Sequence, residues 1–317
     1  MTTTRDGNTA TLTPPSATTR SLRELRRDTQ NTLDVWASQP WLFRQVRKVS
    51  IYVTWLLLHT PLTPNAITLM AIAGGMLTGV LFAIGWWITG LAVLALVVVL
   101  DFSDGEVSRY RGTQSKEGSY LDKLYIFAVH PSPIAGMTIG VHTLYPTPWV
   151  LAAGFVDVIS IFLLCTVSEY GRQIAVWKHV GRLLVRLETD PAFLAEQLNK
   201  TSSNAGDAEA KRAGFRNSVF GTMLKRALSG WDFPYIFVFM AAAILLQLAT
   251  GSDEGWFGTT PAKLFLYFYA LTYPPIIWAM IVKNVAARAV ETDFRIAADQ
   301  VMRTLRQARR VQNDPQQ

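Results

Sequence analysis

Three carboxylates carry the pattern in this sequence most suggestive of chemistry. Asp101 and Asp104 end an apolar run and stand three residues apart, which places both on one face of a helix. Asp122 opens the next apolar run. The connection between the two runs is short, so their ends must lie close and the acids gather at one membrane interface. Acids placed in membrane-spanning segments are costly and point to function by default. Like charges in a cluster repel and need compensation, which a divalent cation supplies. Carboxylate oxygens suit Mg²⁺, Mn²⁺ or Ca²⁺. Gly105 and Gly118 flank the acids and let a ligand approach the backbone, while Arg109, Arg111 and Lys116 add positive charge nearby. Carboxylates, metal and arginine together form a phosphate-handling combination. Two metals would clamp the attacking and leaving oxygens of a phosphoryl displacement. A single acid at a helix end often does no more than meet water. Three at this spacing argue for a site.

The elements that must position these residues are membrane helices. Half of the 317 residues are hydrophobic, and they fall in recurring runs of about 20, the length a helix needs to cross the hydrocarbon core. The runs do not alternate with period two, so spanning strands are excluded and an all-α integral membrane protein of about six transmembrane helices is expected. The spans fall near 65–86, 88–103, 118–144, 148–168, 232–249 and 261–282. Pro131 and Pro133 should kink the third. Gly75 and Gly79 form a small-xxx-small pair in the first, open to packing within the bundle or to a homodimer.

Residues 1–19 are rich in Thr, Ser and Pro, lack the pattern of a cleavable signal and are expected to be disordered. Residues 20–60 read as juxtamembrane helices, with Trp41–Thr60 amphipathic and suited to the membrane surface or to simple anchoring. The membrane domain covers 61–282, with a polar insertion at 171–230 that is helical in its first part. A basic helical tail follows at 283–317. Lys and Arg crowd the N-terminal segment, the 104–117 connection, the 171–230 insertion and the tail. Only Lys263 falls in the opposite connections. The positive-inside rule then places both termini and the acidic site in the cytoplasm, in a multi-pass protein of the cell (inner) membrane. The net charge of +7 is accounted for by this topology, and no nucleic-acid partner is expected. The one cysteine, Cys165, allows no intrachain disulfide.

The stretch Asp101-Phe-Ser-Asp104-Gly105-Glu-Val-Ser108-Arg109, eight residues, then Gly118-Ser-Tyr-Leu-Asp122 resembles the signature of the CDP-alcohol phosphotransferases, D-x-x-D-G-x-x-A-R, eight residues, G-x-x-x-D-x-x-x-D. The six-span layout, the surface helix and the Thr63-Pro64-Asn65 opening of the first span share the resemblance. The insertion and the tails do not. The resemblance implies metal-dependent transfer of a phosphoryl-alcohol group, commonly phosphatidyl, from a CDP-linked lipid or alcohol to an acceptor hydroxyl, with release of CMP. It assigns Asp101, Asp104 and Asp122 to Mg²⁺ or Mn²⁺ and the CDP phosphates. Asn65, Gly105, Ser108, Arg109 and Gly118 shape the nucleotide pocket. Glu169 and Arg172 either line the acceptor pocket or form an ordinary helix end. Two positions depart from the pattern: Ser108 replaces alanine, and Ile126 replaces the last aspartate, taken in the family as a metal ligand and as the base that activates the acceptor. Isoleucine does neither. His130, eight residues beyond Asp122 and ~12 Å along an ideal helix, is the candidate substitute base or else a packed structural residue. Two alternatives remain open from the sequence. One is a CDP- or lipid-binding relative with impaired turnover, motivated by Ile126. The other is a divalent cation transporter, disfavoured because no internal repeat is visible.

Overall fold

The computed structural model describes residues 21–30, 41–167, 171–199, 235–251 and 259–313. The expected tail at 1–19 and the second half of the polar insertion lie outside them. The described residues form helices and no strand. In chain order they are α1 (Leu22–Gln30), α2 (Trp41–Leu58), α3 (Pro64–Ala83), α4 (Trp87–Arg111), α5 (Lys116–Val129), α6 (Pro131–Leu144), α7 (Pro148–Cys165), α8 (Gly171–Thr189), α9 (Pro191–Asn199), α10 (Tyr235–Thr250), α11 (Pro261–Ala286) and α12 (Ala289–Asn313). Five stretches are long and apolar enough to cross a membrane: α3, α4, α5 with α6, α7 and α11. The sixth expected span is α10, a shorter apolar helix of 16 residues. The chain is therefore an all-helical, multi-pass membrane protein.

It divides into two compact units, one ending at Pro133 and the other starting at Ile134. In the first unit α3 begins with an N-cap: Thr63 Oγ1 accepts from the Ala66 amide at 3.2 Å, and Pro64 occupies the first turn. α4 ends at Gly112, whose φ of 64° is the left-handed cap that glycine takes without strain. Ser115 then caps α5 through the Gly118 amide at 2.9 Å. α3 packs on both α4 and α5, and α2 packs on α4. Their shared core includes Ile67, Ala71, Val97, Leu100, Val107, Tyr125 and Val129. The outer faces of α2 and α3 stay apolar, with Trp41, Tyr52, Trp55, Leu69, Met76 and Val80 exposed, as lipid-facing helices require.

Glycines set the helix spacing. A Cβ on Gly75 would meet the Val129 methyls at 2.6 Å, and one on Gly79 would meet the Ser132 carbonyl oxygen at 2.6 Å. The small-residue pair thus serves packing inside the chain. Two expectations shift in detail. The third span is two helices broken at His130–Pro131, because proline lacks the amide that would continue the ladder. The helix that carries the second expected span continues past residue 103 to Arg111.

In the second unit α7 packs along α11, α10 packs on α11, and α8 packs on α12. Gly154 on α7 lies so close to Thr138 on α6 that a Cβ would overlap its hydroxyl. Lys263, which is buried, places its ammonium 4.1 Å from the centre of the Tyr145 ring. The basic tail continues as α11 to Ala286 and then as α12.

Candidate active site

The end of α4, the start of α5 and the start of α3 surround a cavity of about 270 Å³. From α4 it takes Asp104, Gly105, Ser108 and Arg109; from α5, Gly118 and Asp122; from α3, Asn65 and Thr68. The cap after α4 brings these elements together, since Gly112 turns the chain and Ser115 restarts it within four residues. Arg111 fixes the same corner from outside. Its guanidinium donates to the carbonyls of Thr60 at 2.9 Å and of Leu62, tying the end of α4 to the junction of α2 and α3.

Asp104 is buried, with 6% of its surface exposed, and its Oδ2 accepts from Thr68 Oγ1 at 2.5 Å. Asp122 is exposed at the rim. Gly105 gives the guanidinium of Arg109 space to lie against the backbone: a Cβ there would stand 3.2 Å from Nη1. Gly118 plays the same part for Asn65, whose Oδ1 would lie 3.3 Å from an added Cβ. Alanine at either glycine would crowd a polar group that lines the cavity.

Asp101 is half-buried on the turn of α4 before Asp104 and interacts electrostatically with both Asp104 and Asp122, though it does not line the cavity. Among the described residues no three Asp, Glu, His or Cys side chains converge as a ready-made metal cage. The donor set still fits a hard cation. Mg²⁺ is usually held by one or two carboxylates, with phosphate oxygens and water filling the remaining positions. Asp104 and Asp122 facing one cavity, with Asp101 one turn away, meet that requirement.

His130 does not line the cavity; it sits at the break between α5 and α6 with its ring edge-on to Tyr125, centroids 6.2 Å apart. Ile126 packs against the apolar core of the first unit. Arg172 belongs to the second unit, where its guanidinium pairs with Asp293 at 3.7 Å. Glu169 lies outside the described residues. Sequence reasoning passed over Thr68. Its signal was a polar residue three positions after Asn65, on the same face of an otherwise apolar helix.

Comparison with known proteins agrees with the motif. Residues 61–189, from just before α3 to the end of α8, match the family model for CDP-alcohol phosphatidyltransferase. No curated protein matches the chain. Among solved structures, the crystal structure of Mycobacterium tuberculosis phosphatidylinositol phosphate synthase (PgsA1) with CDP-DAG bound is matched over 74% of this chain and 92% of that one. The identity is 13% and the TM-score 0.46, too distant to carry an argument about this chain.

Proposed function

We propose that this protein transfers a phosphatidyl or related phosphoryl-alcohol group from a CDP-linked lipid to an acceptor hydroxyl and releases CMP, with Mg²⁺ or Mn²⁺. The observation that carries the reading is the gathering of Asn65, Asp104, Gly105, Ser108, Arg109, Gly118 and Asp122, spread over more than fifty residues of sequence, around one cavity. Asp101, Asp104 and Asp122 would hold the metal. When bound, the metal neutralises the pyrophosphate and stabilises the leaving CMP. Arg109 presents its guanidinium to the phosphates, and Gly105 and Gly118 leave room for the Arg109 and Asn65 side chains that line the pocket. The acceptor oxygen forms a bond to the phosphorus that bears the alcohol. The bond from that phosphorus to the bridging oxygen breaks, and CMP leaves with the electron pair. Purified protein given CDP-diacylglycerol, Mg²⁺ or Mn²⁺ and a panel of alcohols is expected to release CMP with at least one of them. Folded protein that releases none with any acceptor contradicts the proposal.

The acceptor's proton separates this from a second reading. Ile126 packs in an apolar cluster and His130 stands outside the cavity. Both observations favour a relative that binds CDP-lipid without turnover. Ile126→Asp tests it: activity that arises only in the variant assigns the natural chain to binding, and activity already present in the natural chain assigns it to catalysis.

A further inference from the structure

Glu106 lies inside the site motif but points away from the cavity, and none of its surface is exposed. A buried carboxylate is costly unless every oxygen is satisfied. Here the donors come from the two helices that precede the membrane domain. Ser50 Oγ and Gln30 Nε2 donate to Oε1 at 2.7 and 2.8 Å, and Thr54 Oγ1 donates to Oε2 at 2.7 Å. Arg47 Nη1 stands 4.0 Å from Oε1. Burial lowers the Arg47 guanidinium from its ordinary value, with Arg109 adding to that and Glu106 opposing; an arginine stays charged all the same. Gln30 also donates to the Arg47 carbonyl at 2.8 Å, so one side chain joins α1 to both α2 and α4. The next residue back, Thr29, is buried, and its carbonyl accepts from Arg109 Nε at 2.8 Å.

We propose that α1 is a positioning element of the site: Glu106, through Gln30, seats α1 so that the Thr29 carbonyl aims the Arg109 guanidinium into the cavity. The proposal rests on the reading of that cavity as a CDP-phosphate site. A guanidinium presents its donors in a rigid fork. Fixing Nε from behind therefore sets the plane in which the two terminal nitrogens meet a phosphate. Glu106 and Gln30 touch no substrate. They act through Arg109, and α1 is more than a membrane anchor.

The test is a double-mutant cycle on full-length protein in nanodiscs, measuring the Kd of CDP-diacylglycerol in the presence of Mg²⁺. Gln30→Ala is expected to raise Kd about tenfold, on the order of one hydrogen bond to a charged group, in protein that stays folded with a lowered thermal midpoint, since Ser50 and Thr54 still donate to Glu106. Arg109→Ala is expected to weaken binding more. In the double variant Gln30→Ala should add almost nothing, because its effect runs through Arg109. Glu106→Leu, which removes both acceptor oxygens, should follow Gln30→Ala and be equally silent on the Arg109→Ala background. Wild-type-like binding by Gln30→Ala, or full additivity with Arg109→Ala, overturns the proposal. Wild-type protein that fails to bind CDP-diacylglycerol overturns the functional reading beneath it instead.

Discussion

Thr68 holds Asp104 through one carboxylate oxygen, and that contact should be felt wherever Asp104 works. Partners that orient a metal ligand are typically worth 10–100-fold in metal affinity. Thr68→Val is therefore expected to raise the Mn²⁺ concentration needed for half-maximal CMP release about tenfold. The Mn²⁺ concentration that raises the thermal midpoint should rise in parallel. Thr68→Ser should stay close to wild type. An unchanged Mn²⁺ dependence in Thr68→Val would remove Asp104 from the metal site. The motif residues were legible in the sequence because their spacing alone marks them. Thr68 was not, because a lone threonine in an apolar helix usually bonds only its own backbone, as this one also does to the Pro64 carbonyl at 3.2 Å. Glu106 was hidden for a related reason. An acid beside the two motif aspartates reads as a solvated neighbour, and only the folded α1 and α2 reveal the hydroxyls and amide that bury it.

Glycines decide how closely helices approach. A Cβ on Gly79 would meet backbone, the Ser132 carbonyl, and not merely the end of a flexible side chain. Gly79→Ala is expected to destabilise the protein by about 1–3 kcal/mol, the usual cost of overpacking, read as a lower thermal midpoint in detergent. Gly181 on α8 has nothing within 4 Å of an added Cβ, so Gly181→Ala should instead stabilise by about 0.5–1 kcal/mol by removing glycine from a helix interior. Equal effects at the two positions would contradict the close approach of α3 to α6. Helix identity followed from apolar runs and from Thr-Pro and Ser caps, which have a local physical cause. Helix ends did not always follow. The polar stretch after Asp104 reads as a loop in sequence, yet α4 continues through it because Glu106 and Arg111 find partners on α1, α2 and the turn after α2.

The whole molecule is organised by the membrane. From the distribution of Lys and Arg we propose that α2 and the α4–α5 turn share the cytoplasmic side with both termini. In a Cys165→Ala background, Ser21→Cys and Lys116→Cys should react with a membrane-impermeant maleimide only after cells are opened. Gly85→Cys, in the turn between α3 and α4, should react in intact cells. The reverse pattern would invert the topology and place the cavity outside. The acceptor was not legible from sequence, since no periodicity or motif encodes which alcohol a pocket admits.

Phosphorus NMR of the reaction tests the phosphoryl-transfer reading most directly. With CDP-diacylglycerol, Mg²⁺ and an accepted alcohol, the pyrophosphate signals should fall while the CMP monoester and a new phosphodiester rise together. In Asp104→Asn both products should slow by about 10²–10³, the scale of losing one preorganised electrostatic contact at a reacting phosphate. Product formation undiminished in Asp104→Asn, or CMP appearing with phosphatidate in place of a new phosphodiester, would contradict transfer at this site.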